Sequence, residues 1–252
     1  MSNLNSKITG LRDSVVAILG LTQVLPATTP TSGKPTPAKF NIQWGSGFCV
    51  VDNKYVVTAN HVLLENNKAR NPKTKFYAFI VPKNGNAAFY YPVKTFTLER
   101  KDVDMAILEL GTCSDPTQKL PASPITFSTP PDGSKVITVG FPSPEVHAIS
   151  ADINGNYKGG NFLLKSYANE GIVAAQYNLG KLPAIEFNVA WNNGESGGPI
   201  ATQDDEPAIF SLMQHYRNVQ TPHGVQPGPR RGLSLSLIKS DLKSIGATIL
   251  IT

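Results

Sequence analysis

The sequence predicts an all-β fold of two six-stranded antiparallel β-barrels packed together, with a short C-terminal helix. Three observations predict it. Short apolar or alternating runs recur along the 252 residues with turn residues between them. A proline-rich stretch without periodicity, residues 111–131, divides those runs into two groups. Only one segment, close to the C-terminus, has convincing helical spacing. About a dozen short strands in two groups fit a pair of small barrels better than one open sheet.

The elements follow in order. "VVAILGL" (15–21) is the first strand, and "PATTPTSGKPTPAKF" (26–40) has the composition of an exposed insertion. "FCVV" (48–51) and "YVVTA" (55–59) form a hairpin around "DNK". "KFYAFIV" (75–81) and "AAFYYPVKTFTL" (87–98) flank the Asn-Gly turn of "PKNGN", and "DMAILEL" (104–110) ends the first group. The second group holds "KVITVGFP" (135–142), "NFLLKSYA" (161–168), "GIVAAQYN" (171–178), "PAIEFNV" (183–189), "PAIFSLMQHY" (207–216) and "GLSLSLI" (232–238). The helix is expected over 237–247, with Leu237, Ile238, Leu242 and Ile245 on one face. Residues 1–118 are expected to form the first barrel and 119–252 the second.

Composition narrows the class of function. The chain is 40% hydrophobic and 8% aromatic, ordinary for a globular protein with a sizeable core. The 23 basic and 18 acidic residues leave a formal charge of +5, but the excess is scattered and does not interleave with aromatics. A solvated basic surface is expected, and no nucleic-acid partner. Lys7 and Arg12 before an apolar run loosely imitate a secretory signal, but Asp13 abuts the run and Gly20, Thr22 and Gln23 interrupt it. No run approaches the ~18 apolar residues of a span, so no membrane partner is expected. With only two cysteines, Cys49 in a buried strand and Cys113 in a loop, a disulfide framework is excluded and a cytoplasmic location is the expectation. His147, His215 and His223 lack ligand spacing, and no phosphate loop or dinucleotide fingerprint occurs, so neither metal nor cofactor is expected.

Three patterns carry chemistry only when taken together. "YVVTANHVL" (55–63) runs a β-branched strand into His61; "KDVDMAIL" (101–108) places Asp104 before an apolar strand; "GESGGPI" (194–200) surrounds Ser196 with glycines. Alone, each is a satisfied histidine, a solvated strand start and a flexible turn. As a system they supply a hydroxyl, a base to take its proton and an acid to orient the base. The glycines beside Ser196 let backbone N–H groups converge on a developing oxyanion.

"TANHV", "DMAIL" and "GESGGP", in that order, resemble the signature of the trypsin-like, chymotrypsin-fold serine proteases. "GSGFCVVDNKYVVTANHVL" and "GSKVITVGFPSP" resemble the barrel strands of the HtrA/Deg type, and the likeness runs from "SVVAIL" to "RGLSLSLIKSDL". It implies a serine endopeptidase working through an acyl-enzyme, with Ser196 as nucleophile, His61 as general base and acid, and Asp104 as orienting carboxylate. Asp102 is the poorer candidate, being off the pattern. The N–H groups of Gly194 and Ser196 are implied as the oxyanion hole, Ser211 as the strand serine beside the triad acid, and Asn193, Leu212 and Met213 as substrate contacts. A peptide or protein substrate follows, held by strand addition. A regulatory protein partner or an ordering loop is expected to control activity. The alternatives are a peptide-binding pseudoprotease scaffold that does not cut, and an esterase or acyltransferase with the same triad.

The sequence also departs from that family. The cysteine that often follows the histidine is Val62, and no "Ile-Val-Gly-Gly" start is present, so activation by an inserted N-terminus is not expected. Glu195 stands before the serine, where HtrA relatives usually have Asn. A buried unpaired carboxylate costs several kcal/mol, so the favoured expectation is a solvated surface acid. The sharper alternative pairs Glu195 with a mobile loop that decides whether the oxyanion hole forms. Ala190, six residues before the serine, and Met213 at a pocket wall favour a small or medium apolar side chain at the cleaved position.

Overall fold

The computed structural model describes residues 3–25, 38–65, 68–81, 88–142, 144–152, 154–180, 182–190, 192–222 and 224–250, apart from the side chains of 215–221, 225–227 and 229. Most of the expected 26–40 insertion, His223 and the side chain of His215 lie outside the described residues.

Two closed six-stranded antiparallel barrels make up the chain. The first contains β1 (Val15–Leu25), β2 (Lys39–Val51), β3 (Tyr55–Ala59), β4 (Lys75–Ile80), β5 (Phe89–Arg100) and β6 (Met105–Leu110), in the order β1-β2-β3-β6-β5-β4. After β6 the chain runs through residues 111–134 without a strand. The second barrel contains β7 (Lys135–Gly140), β10 (Tyr167–Leu179), β11 (Leu182–Asn188), β12 (Pro199–Thr202), β13 (Ile209–Thr221) and β14 (Gly224–Ser234), in the order β10-β11-β14-β13-β12-β7. Closure pairs each barrel strand with a neighbour on both sides along part of its length.

Alternation along the strands explains how the barrels meet. On β7, β12 and β13, Val136, Ile200, Phe210 and Met213 point into the interior of the second barrel. Their neighbours Ile137, Ala201, Ile209 and Leu212 point the other way, into a core continuous with that of the first barrel. These strands are buried on both faces, which explains why they read as nearly unbroken apolar runs.

A hairpin between the barrels adds a second tie. β8 (Glu145–Ala151) and β9 (Tyr157–Leu163) pair only with each other, yet Tyr157 packs into the first barrel. Its ring lies 5.4 Å from Phe79 and 5.1 Å from Tyr90, both near perpendicular, and its N–H donates to the Tyr77 hydroxyl at 2.8 Å. Edge-to-face contacts of this kind each add about 0.5–1.5 kcal/mol beyond burial.

The sequence reading missed one helix. α1 (Leu4–Asp13) precedes β1, capped by the Asn3 side chain, which accepts from the Asn5 N–H at 3.2 Å. It buries only Leu11, so it carries little apolar periodicity. Lys7 anchors it to the second barrel, its Nζ donating to the Gln203 carbonyl at 2.8 Å. At the other end, the expected 237–247 helix is a 3-10 turn (Leu235–Ile238) followed by α2 (Lys239–Ser244). Both cysteines are free, and burial pushes the Cys49 thiol up to about 12, so it is no nucleophile. Among the described residues no helix is long and apolar enough to cross a membrane.

Phe79 is fully buried and contacts three other rings. Phe79→Ala is expected to destabilise the protein by about 3–5 kcal/mol, read as a lowered urea midpoint in equilibrium denaturation.

Candidate active site

β3 ends at Ala59, and the chain tightens into a 3-10 turn, Asn60–Leu63, that carries His61. Asp104 ends the turn before β6 with φ 47, the left-handed region, which a short acid tolerates better than most residues. This conformation turns the Asp104 backbone and carboxylate toward the histidine turn. The Asp104 carbonyl accepts from Asn60 N–H at 3.1 Å, Oδ1 accepts from His61 N–H at 2.8 Å, and Oδ2 lies 2.8 Å from His61 Nδ1. Strain of this kind persists only where surrounding bonds over-determine it. Burial alone pushes the Asp104 carboxyl up, but the hydrogen bonds and charge of His61, with help from Gln214, outweigh it and hold the group below its usual range. Asp102 lies at the surface, bonded to Arg100 at 2.5 and 2.7 Å, and takes no part.

Ser196 comes from the other barrel, in the loop between β11 and β12. The Gly194 and Gly197 backbones have φ 96 and 84, conformations that side chains resist. Gly197 also has no room for one: a Cβ there would lie 2.3 Å from the Ser46 carbonyl and from Thr58 Oγ1. The loop is pinned on both sides. Gly197 N–H donates to Met213 O at 2.7 Å on its own barrel, and Ser196 O accepts from Ser46 N–H at 2.8 Å across the interface. Among the described residues, the N–H groups of Gly194 and Ser196 donate to no backbone carbonyl.

The Ser196 hydroxyl donates to the Gln214 carbonyl at 3.0 Å. Gln214 also reaches the acid: its Nε2 donates to Asp104 Oδ2 at 3.0 Å, and its Oε1 accepts from Arg231 Nε at 3.2 Å. Sequence reasoning missed it and put Ser211 there instead. Ser211 is fully buried three residues earlier, its hydroxyl donating to Leu233 O at 2.9 Å. Met213 pairs with Gly232 and His215 with Arg231, so Gln214 is an extra, bulged residue between the two pairs. No signal in a run of alternating residues marks such an insertion.

The three side chains line one open cleft of about 1200 Å³ together with Asn193, Gly194, Gln214 and, from the first barrel, Phe40, Trp44, Glu65, Lys68 and Lys101. Leu212 and Met213 are fully buried, so the expected Met213 wall is interior packing rather than pocket surface. Ala190 is exposed at the end of β11 and outside this cleft. The expectation of an apolar pocket therefore loses both of its supports.

Glu195 corrects a further expectation. It is 0% exposed, not a solvated acid. Oε2 accepts from the Asn192 N–H within the same loop, while Oε1 has no partner among the described residues. Its stem packs on Gly140, where a Cβ would lie 3.0 Å from Glu195 Cβ. Burial pushes the carboxyl up to about 7, against the opposing pull of the Asn192 N–H and the Arg230 charge. No group of three or more His, Cys, Asp or Glu among the described residues is placed to hold a metal.

The model of the trypsin-like peptidase domain matches residues 45–207, which include all three side chains. No curated protein sequence matches the chain. Among solved structures, the HtrA-type protease AlgW with decapeptide superposes with a TM-score of 0.61 at 15% identity, covering 97% of this chain and 67% of its own. Deg5 gives 0.60 at 14% identity, covering 98% and 96%. At such identities the likeness is one of fold.

Glu195 makes stability depend on pH. The unfolded carboxyl ionises near 4.5 and the folded one near 7, so the native state holds the extra proton between them. Stability is therefore expected to fall as pH rises through that window, by roughly 3 kcal/mol, and then level off. Urea denaturation at pH 5 and pH 8 reads this, and Glu195→Gln should abolish that decline.

Proposed function

The chain belongs to the trypsin-like peptidase family and is a serine endopeptidase; we propose that Ser196, His61 and Asp104 form its catalytic triad. The observation that carries this reading is the bond between His61 Nδ1 and Asp104 Oδ2 at 2.8 Å. With Nδ1–H directed at the carboxylate, Nε2 is the ring nitrogen that would accept the serine proton.

In the proposed reaction, the Ser196 hydroxyl rotates from the Gln214 carbonyl toward His61. Its Oγ attacks the scissile carbonyl carbon as Nε2 takes the proton, and Asp104 stabilises the imidazolium. The N–H groups of Gly194 and Ser196 hold the oxyanion of the tetrahedral intermediate. His61 then gives the proton to the leaving amine, and an acyl group remains on Ser196. Water, deprotonated by His61, hydrolyses that ester and restores the hydroxyl.

The substrate is an extended peptide segment. β12 pairs with β13 no further than Leu212, and loop bonds extend that contact only to Met213. From Gln214 onward this side of β13 offers a strand edge at the nucleophile, where a peptide would add by main-chain hydrogen bonds. That AlgW was solved with a decapeptide supports the same mode. The residues 192–195 form the loop whose ordering would control activity, alone or through a protein partner, because Glu195 ties into it at Asn192. The first barrel, residues 1–118, would then supply base and acid, and the second, 119–252, the nucleophile.

One observation favours the non-cutting scaffold: Ser196 donates to Gln214 and not to the imidazole in this structure. A fluorophosphonate probe separates the two readings. Wild-type protein is expected to be labelled, with labelling abolished in Ser196→Ala and reduced at least about 10³-fold in His61→Ala. No labelling of wild-type protein under any condition would favour the scaffold.

A further inference from the structure

We propose that Arg231 is a positioning residue for the triad, acting through Gln214 on Asp104; this rests on the reading of Asp104 as the triad carboxylate. Three observations carry it. Gln214 is the extra residue of the β13 bulge, between the Met213–Gly232 and His215–Arg231 pairs. A bulge re-aims a side chain, and this one sends Gln214 across the interface to Asp104. Its Oε1 meets Arg231 Nε at 3.2 Å on the neighbouring strand.

The chemistry of the three groups makes the chain directional. A guanidinium only donates, and a carboxylate only accepts. With Arg231 on one side and Asp104 on the other, only one orientation of the Gln214 amide satisfies both, with oxygen toward Arg231 and NH₂ toward Asp104. Without Arg231, the amide can turn about its last torsion and present oxygen to a carboxylate. Gln214 is 7% exposed, so a wrongly turned amide has little access to water to compensate. Among the described residues the Asp104 carboxylate accepts three hydrogen bonds: two come from His61, and Gln214 supplies the third from the second barrel. Arg231 thereby fixes the carboxylate from the barrel that carries the nucleophile. Glu65, Lys68 and Lys101 also line the cleft around His61 and are constant in the variants below.

The test is the titration of the His61 imidazole, followed by NMR in wild-type protein, Gln214→Leu, Arg231→Leu and the double variant. The chain has four histidines, so assignment by a His61 substitution is direct. Removing a donor from Asp104 leaves more negative charge facing the imidazole. The midpoint is therefore expected to rise by about half a pH unit in each single variant. The double variant should shift no further than Gln214→Leu alone, because Arg231 acts only through the amide. Arg231→Lys, which keeps a donor, should recover part of the shift and shows that the effect is not lost folding. An unchanged midpoint in Arg231→Leu would overturn the proposal, as would a further shift when Arg231→Leu is added to Gln214→Leu, the mark of a direct charge effect. The readout does not require activity. Normal titration shifts with no fluorophosphonate labelling would count against catalysis and leave the Arg231–Gln214–Asp104 chain standing.

Discussion

Ser46 is the point on which the site depends. It is fully buried on β2 of the first barrel and makes four hydrogen bonds, three of them to the second barrel. Its N–H donates to Ser196 O and its hydroxyl to Gly194 O, both at 2.8 Å. The same hydroxyl accepts from Phe141 N–H at 2.9 Å, and the Ser46 carbonyl accepts from Thr58 Oγ1 at 2.6 Å. One small side chain on one barrel thus grips the Ser196 loop and the end of β7 on the other. Gly197 permits the approach, since any side chain there would strike the Ser46 carbonyl.

From that grip the rest follows. The proposed nucleophile and base, borne by separate barrels, would need an interface rigid to a fraction of an ångström, because misplacement of about 1 Å can cost 10²-fold in rate. The double-faced strands β7, β12 and β13 and the Tyr157 hairpin provide rigidity in bulk, while Ser46 and Gln214 provide it at the reacting groups. Polar bonds do this work at the centre of an apolar interface because a buried donor or acceptor without a partner is costly, so the wrong register is penalised sharply. Glu195 is the exception, with one buried oxygen unpartnered among the described residues. Such a group stores destabilisation in the loop that carries the proposed oxyanion donors.

Much of this was legible in the sequence. Alternating runs and turn residues foretold two barrels, and His61, Asp104 and Ser196 stood in motifs whose spacing brings them to one cleft. What stayed hidden has physical causes. α1 buries only Leu11, so its apolar residues lack the period that marks a helix. Nothing in the alternating run of β13 marks which polar residue reaches Asp104, so Ser211 was assigned a place that belongs to Gln214. Burial of Glu195 ran against the general cost of burying an acid. The raised proton affinity of the folded state resolves that conflict, since a neutral carboxyl is far cheaper to bury.

The crystal structure of the protein after reaction with a fluorophosphonate bears most directly on whether these residues perform acyl transfer. The account predicts phosphorus bonded to Ser196 Oγ and a phosphoryl oxygen within about 3 Å of both the Gly194 and Ser196 nitrogens. It also predicts an unbroken contact between His61 Nδ1 and Asp104. An adduct on another residue, or a phosphoryl oxygen turned away from both N–H groups, would contradict it.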